Sequence, residues 1–166
     1  MTVQPPEITV KKAVKPPYEL ICSTAHLLKR LGMEIKEAYR EAFETAGASP
    51  FHYSVLAVLE ESPRETQATI ADSLGYDRSW LVGLLDELEE KGLIERRRDP
   101  ADRRRHVVTL LPAGKRQLAE LRAVSKDVED KFLASLDAEQ RASLHELLLQ
   151  LTVHHDPRYG PGNGKS

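Results

Sequence analysis

Six arginines crowd one short stretch of the chain: Arg96, Arg97, Arg98, Arg103, Arg104 and Arg105. A guanidinium is planar, permanently charged and carries a fork of N–H donors that fits phosphate oxygens. On a projecting loop such groups can bind a nucleic-acid backbone, or enter the narrow minor groove of a duplex, where the negative potential is enhanced. Just upstream, Leu81, Leu84, Leu85 and Leu88 recur at helical spacing. With those leucines turned inward, Arg78, Ser79, Trp80, Val82 and Gly83 fall on the outer face. Ser79 can donate to a base or a phosphate there. Gly83 leaves room for close approach, although a surface glycine of no function fits the position equally well. Trp80 can meet a thymine methyl or a sugar, or cover the neighbouring turn.

The net charge of the 166 residues is only −2. Its distribution is more telling. From Leu93 to Arg116 the chain carries eight basic and three acidic residues, against sixteen basic and twenty-three acidic elsewhere. A nearly neutral total hides one basic segment on an acidic protein, the footprint of a nucleic-acid partner. Other chemistries find little support. The Gly-rich phosphate loop, G-x-S-x-G and H-E-x-x-H are all missing, so no enzyme and no cofactor is expected. His154, His155 and Asp156 are adjacent near a helix end and make a poor tetrahedral set, so no metal is expected. A single cysteine, Cys22, excludes an intrachain disulfide and suits a reducing cytoplasm. No apolar run approaches the roughly 20 residues that span a bilayer, and the Pro5-Pro6 terminus has no signal-peptide core. A soluble, cytoplasmic protein away from the membrane is expected.

The elements that position these residues follow from spacing and punctuation. Residues 1–17, with two Pro-Pro pairs, read as a flexible arm. Ile21, Ala25, Leu28, Leu31, Ile35, Ala38 and Ala42 predict one long amphipathic helix from Tyr18 to Thr45, closed by Gly47 and Pro50. A second helix runs from Phe51 to Glu61. Thr66–Leu74 is a third, stopped by Gly75; Asp77 can cap a fourth, which runs to Lys91 before Gly92. Two short helices joined at Gly75-Tyr76 predict a helix-turn-helix. Leu93–Arg97 and His106–Leu110 then form a hairpin with the arginines at its tip. Helical spacing returns from Ala113 to Leu136, and Asp137 with Gln140 caps a last helix, Ala138–Val153.

The fold class is therefore mainly α: a winged helix-turn-helix with a two-stranded β wing and N- and C-terminal dimerisation helices. Its parts are the arm (1–17), the N-terminal dimerisation helix (18–50), the winged DNA-binding domain (51–112), the C-terminal dimerisation helices (113–155) and a disordered tail (156–166). The terminal helices carry more apolar surface than one small domain can cover, which points to a homodimer.

The stretch from Asp77 to Gly114, DRSWLVGLLDELEEKGLIERRRDPADRRRHVVTLLPAG, resembles the MarR family (multiple antibiotic resistance regulators). The family's wing pattern, D-x-R-x-x-x-V-x-L-T-x-x-G, is met by Asp102, Arg104, Val108, Leu110 and Gly114. Leu111 stands where threonine is usual, which removes a hydroxyl cap from the next helix. Leu88, Gly92, Leu93, Ile94 and Arg96 match the segment before it. The resemblance implies a sequence-specific regulator, usually a repressor, of double-stranded DNA. Arg104 would enter the minor groove with Asp102 holding the wing in shape, and Arg98, Arg103 and Arg105 would lie beside them. A two-fold dimer would read a pseudo-palindromic operator with half-sites about 10 bp apart.

The resemblance also implies release by a small, often aromatic or acidic effector, bound near Leu28, Leu31, His52 and Tyr53. His52 can pair with an effector's acid, or serve as a structural histidine at a helix start. A hydroperoxide-sensing branch of the family keeps a cysteine on the first helix. With Tyr39 matched to that branch's tyrosine, its cysteine falls on Ala25, one turn from Cys22, so a buried structural thiol is expected instead. A protein-interaction module without DNA binding would explain the apolar helices but not the arginine-tipped hairpin.

Overall fold

A computed structural model describes residues 14–62, 65–99 and 105–160. The chain divides into two compact units, residues 1–36 and 37–166.

In the first unit, α1 (Tyr18–Ile21) is followed by the start of α2 (Thr24–Thr45), whose later turns belong to the second. The single helix expected from Tyr18 is thus broken at Cys22 and Ser23. Ser23 gives the reason: its Oγ accepts from the His26 N–H at 3.2 Å, the bond that opens a new helix rather than continuing an old one. Cys22, expected as a buried thiol, is exposed at this break. Leu27, Leu28, Leu31 and Met33 are exposed as well.

The second unit contains α3 (Pro50–Glu61), β1 (Glu65–Thr66), α4 (Gln67–Leu74), α5 (Arg78–Glu90), β2 (Ile94–Arg98), β3 (His106–Leu110), α6 (Pro112–Phe132) and α7 (Ala138–His155). The hairpin is joined by one short extra strand, giving an antiparallel sheet of order β1-β3-β2. Ile94 lies opposite Leu110, Arg98 opposite His106, and Glu65 opposite Val108.

Phe43, Leu56, Leu59, Ile70, Leu81, Leu85, Leu88, Ile94, Val108, Leu118 and Leu121 are essentially inaccessible and form one core. Each such side chain contributes roughly 1.5–3 kcal/mol by leaving water. This core braces α5 from behind, with α3, α4 and β2 packed against it, so its outer face is held by packing rather than by its own propensity.

α6 starts at Leu111 without a side-chain cap, as the missing threonine hydroxyl implies, and relies on Pro112 at its first position. α7 opens with the expected Asp137–Gln140 capping box, yet buries none of its side chains; Leu147, Leu148, Leu149 and Leu151 are exposed. An open groove of about 480 Å³ runs between the last turns of α2 and α6, with Ala38, Ala42, Val128 and Phe132 among its walls. Of the tail expected to be disordered, 156–166, the described part instead forms a 3-10 turn, Pro157–Tyr159, capped by Asp156, whose Oδ1 accepts from the Arg158 N–H at 3.2 Å. Residues 161–166 lie outside the described residues. Among the described residues no helix is long and apolar enough to cross a membrane.

Candidate nucleic-acid interface

The joint between α4 and α5 is closed from several sides. Gly75 takes the left-handed conformation (φ 69°) that glycine adopts without penalty, and its N–H and that of Tyr76 both turn back to the Ala71 carbonyl. The Asp72 carbonyl, left over by the end of the helix, accepts from Arg158 Nη1 at 2.9 Å. Asp156 holds that guanidinium through bonds of 2.8 and 2.6 Å, while the Asp72 carboxylate takes Arg78 Nη2 at 3.2 Å. On the other side of the joint, Asp77 caps α5 as expected: its Oδ1 accepts from the N–H groups of Ser79 and Trp80, both at 2.9 Å. These bonds favour the ionised carboxylate and hold the Asp77 pKa below its ordinary value, the Ser79 hydroxyl most of all.

Along α5 the four leucines point inward, and Arg78, Ser79, Trp80, Val82 and Gly83 are all exposed. No heavy atom lies within 4 Å of where a side chain at Gly83 would start. The carboxylates come later in the helix, at Asp86, Glu87, Glu89 and Glu90. The outer face is therefore basic to neutral over its first two turns and acidic beyond them.

That division sorts the arginine run. Arg96 is folded back onto α5: its Nε donates to Glu89 at 2.8 Å and its Nη2 reaches Asp86 at 2.6 Å. The bond to Glu89, with Asp86 adding to it, raises the Arg96 pKa and lowers that of Glu89. Arg97 pairs with Glu95 at 2.8 Å. Arg98 and Arg105 are exposed toward the far end of the hairpin, where the Asp99 N–H donates to the Arg105 carbonyl at 2.9 Å. Asp102, Arg103 and Arg104 lie outside the described residues. At the base of the hairpin Arg96 is thus an ion-paired brace on α5, and Arg97, Arg98 and Arg105 are exposed beyond it.

At the start of the same helix, Phe51, Tyr76 and Trp80 form a triangle of edge-to-face rings. Their centroids are 4.9 Å apart for Phe51–Trp80, 5.2 Å for Tyr76–Trp80 and 5.8 Å for Phe51–Tyr76. Trp80 covers the turn and still leaves 45% of its surface open.

His52 is buried. Its Nδ1 accepts from the Ser49 N–H at 3.1 Å, which fixes the proton on Nε2, and Nε2 donates to Glu87 Oε2 at 3.0 Å. Burial pushes its pKa below 6.5, Lys91 adds to that, and Glu87 opposes it. Both ring nitrogens are already engaged within the chain, as in a structural histidine. Tyr53 is half-buried with its ring 5.6 Å from that of Phe43. Leu28 and Leu31 belong to the first unit. The aromatic triangle, the His52–Glu87 bridge and the Arg158 anchor have no local signature in the sequence, apart from a concentration of rings in a chain with only 5% aromatics.

Comparison with known proteins gives a consistent picture. The MarR family pattern matches residues 49–106. A putative transcriptional regulatory protein for the hcr operon of Thauera aromatica is 32% identical over 126 residues, 76% of each chain. The structure of the transcriptional repressor CouR bound to a 23-mer DNA duplex is similar with a TM-score of 0.75 and 30% identity, over 84% of this chain and 99% of that one. CouR from Rhodococcus jostii RHA1 bound to p-coumaroyl-CoA is similar with a TM-score of 0.69 and 26% identity, over 88% and 98%. With its winged helix-turn-helix and a relative matched over three quarters of both lengths, the chain belongs to the MarR family of transcriptional regulators rather than to any class of enzyme.

Proposed function

We propose that this regulator works as a homodimeric repressor, each copy laying the first two turns of α5 in the major groove of duplex DNA. Arg78, Ser79, Trp80, Val82 and Gly83 would meet bases or backbone there. Arg98, Asp102, Arg103, Arg104 and Arg105 would serve the wing, with Arg104 in the adjacent minor groove and Asp102 orienting it. The observation that carries this reading is the charge division of α5: its exposed face holds no carboxylate until Asp86, and of the four from there on, Asp86 and Glu89 pair with Arg96 and Glu87 pairs with His52. The similarity to CouR on DNA supports it.

The exposed leucines of α7, and separately those of the first unit, support a paired molecule, because apolar surface on this scale is costly in water. Two-fold symmetry then asks for a pseudo-palindromic operator with half-site centres about 10 bp apart. For the signal, the likeness to CouR with p-coumaroyl-CoA supports a small aromatic acid or its thioester as the releasing effector. Leu28, Leu31, His52 and Tyr53 are the residues to substitute in testing it.

The deciding experiment measures affinity of the full chain for duplexes selected from a randomised library, from 50 to 200 mM salt. About 6–10 phosphate contacts should cost roughly 10³- to 10⁵-fold in affinity over that range. A flat salt response, or a monomer in solution at binding concentrations, would overturn the docking described.

A further inference from the structure

The first turn of α3 touches α5 twice, at opposite ends. Phe51 meets the Trp80 ring with centroids 4.9 Å apart, and the next residue, His52, donates to Glu87 at 3.0 Å. Trp80 and Glu87 are seven residues apart, roughly 10 Å along the helix axis. Two supports at that separation fix a tilt, which one support cannot.

The supports are themselves fixed. Pro50 sets the backbone at the helix start, and the capping box joins Ser49 and His52 in both directions, at 3.1 and 3.2 Å. His52 is buried, so its ring cannot swing out to follow a moving Glu87 without leaving the Ser49 N–H unpaired. Phe51 is held by Tyr76 at the joint as well as by Trp80. The charged groups acting on His52 are Glu87, which it meets directly, and Lys91, one turn further along α5.

We infer that Phe51 and His52 are positioning residues for sequence reading: the first turn of α3 is a two-point rest that sets the angle at which α5 presents Arg78–Gly83 to a duplex. Neither residue has to touch DNA. The inference rests on the docking of α5 proposed above. Base contacts demand accurate placement of α5, whereas phosphate contacts from flexible arginines tolerate a tilt. Loss of either support should therefore lower discrimination between sequences and leave non-specific binding in place.

The test uses the full chain, a duplex it selects from a randomised library, and a scrambled duplex of the same composition. Phe51→Leu and Glu87→Ala change exposed side chains and leave the core intact. Each should reduce the ratio of selected to scrambled affinity about tenfold, the size of one good base contact. Phe51→Tyr and Glu87→Gln keep a ring and an acceptor oxygen and should retain most of the ratio. The ratio removes the general gain in DNA affinity expected from deleting a carboxylate. Equal weakening on both duplexes, or an unchanged ratio in Phe51→Leu and Glu87→Ala, would overturn the two-point rest while leaving DNA reading intact. If the parent chain enriches no duplex at all, the docking proposal falls and takes this inference with it.

Discussion

Gly114, in the first turn of α6, lies directly against the backbone carbonyl of Leu93. A Cβ at residue 114 would collide with that oxygen and sit 2.6 Å from Leu110 Cδ1. The same Leu93 carbonyl accepts from the Leu111 N–H at 3.0 Å, so it cannot retreat without giving up the bond that joins the start of β2 to the start of α6. The glycine of the family wing pattern is therefore a packing requirement at the foot of the hairpin, independent of any DNA contact. Gly114→Ala should cost about 1–3 kcal/mol by overpacking. In a chain of this size that lowers the melting temperature by roughly 2–4 °C per kcal/mol. A thermal melt no different from the parent would show that the hairpin foot yields freely.

Gly83 is the opposite case. Space is open around it, so Gly83→Ala should stabilise the folded protein by up to about 1 kcal/mol through helix propensity alone. If α5 lies against a duplex at this position, the same change weakens binding. The expected outcome is a higher melting temperature with lower operator affinity, read by calorimetry and by titration with labelled duplex. Higher stability with unchanged affinity would remove Gly83 from the contact surface.

Arg104→Ala should lower operator affinity by roughly 1–3 kcal/mol with the oligomeric state unchanged. Sedimentation and a binding titration together check both halves. Unchanged affinity would take Arg104 out of the minor groove.

The folded-state pKa of His52 is lower than its ordinary 6.5, so between those two values the unfolded chain binds more protons than the folded one. Stability from this residue is fully present above about 6.5 and is lost as pH falls from there toward the folded value. The carboxylates held low by caps and arginines, Asp77 and Glu89 among them, act below their ordinary 3.8 and 4.5 and leave the upper window to the histidine. Denaturant melts from pH 7.5 to 5 should show the decline in the parent and a flatter profile in His52→Gln. Identical slopes would contradict the buried neutral ring.

Arg158→Gln should loosen the joint between α4 and α5, because the Asp72 carbonyl would lose its donor. Faster hydrogen exchange at Gly75 and Tyr76, with α3 unaffected, is the expected signature. Protection unchanged at both amides would mean that the anchor is not formed in solution.

Elements with local causes were legible in the sequence. The inward leucines of α5, the Asp77 cap, the Gly75 stop and the Asp137–Gln140 box all depend on residues within one or two turns, and each lies where spacing puts it. Ser23 carried a readable cap signal too, but the apolar stripe running across it favoured continuity. β1 is two residues long and exists because β3 lies beside it, so no periodicity could reveal it. His52 and Glu87 are 35 residues apart, and Arg158 and Asp72 are 86 apart; such contacts appear only once the core has fixed the helices. In the arginine run, sequence could count the charges but not assign them. Folding commits Arg96 to Glu89 and Asp86 and Arg97 to Glu95, and keeps Arg98 and Arg105 at the exposed surface.

The carboxylates in the rear half of α5 have one more consequence. If α5 docks on a duplex as proposed, a polyanion sliding along the helix leaves turns free of carboxylates and meets Asp86, Glu87, Glu89 and Glu90, only partly neutralised by Arg96. On the proposed docking, the helix would carry its own depth stop, written in charge: a deeper, misregistered seat would be penalised before any base is read.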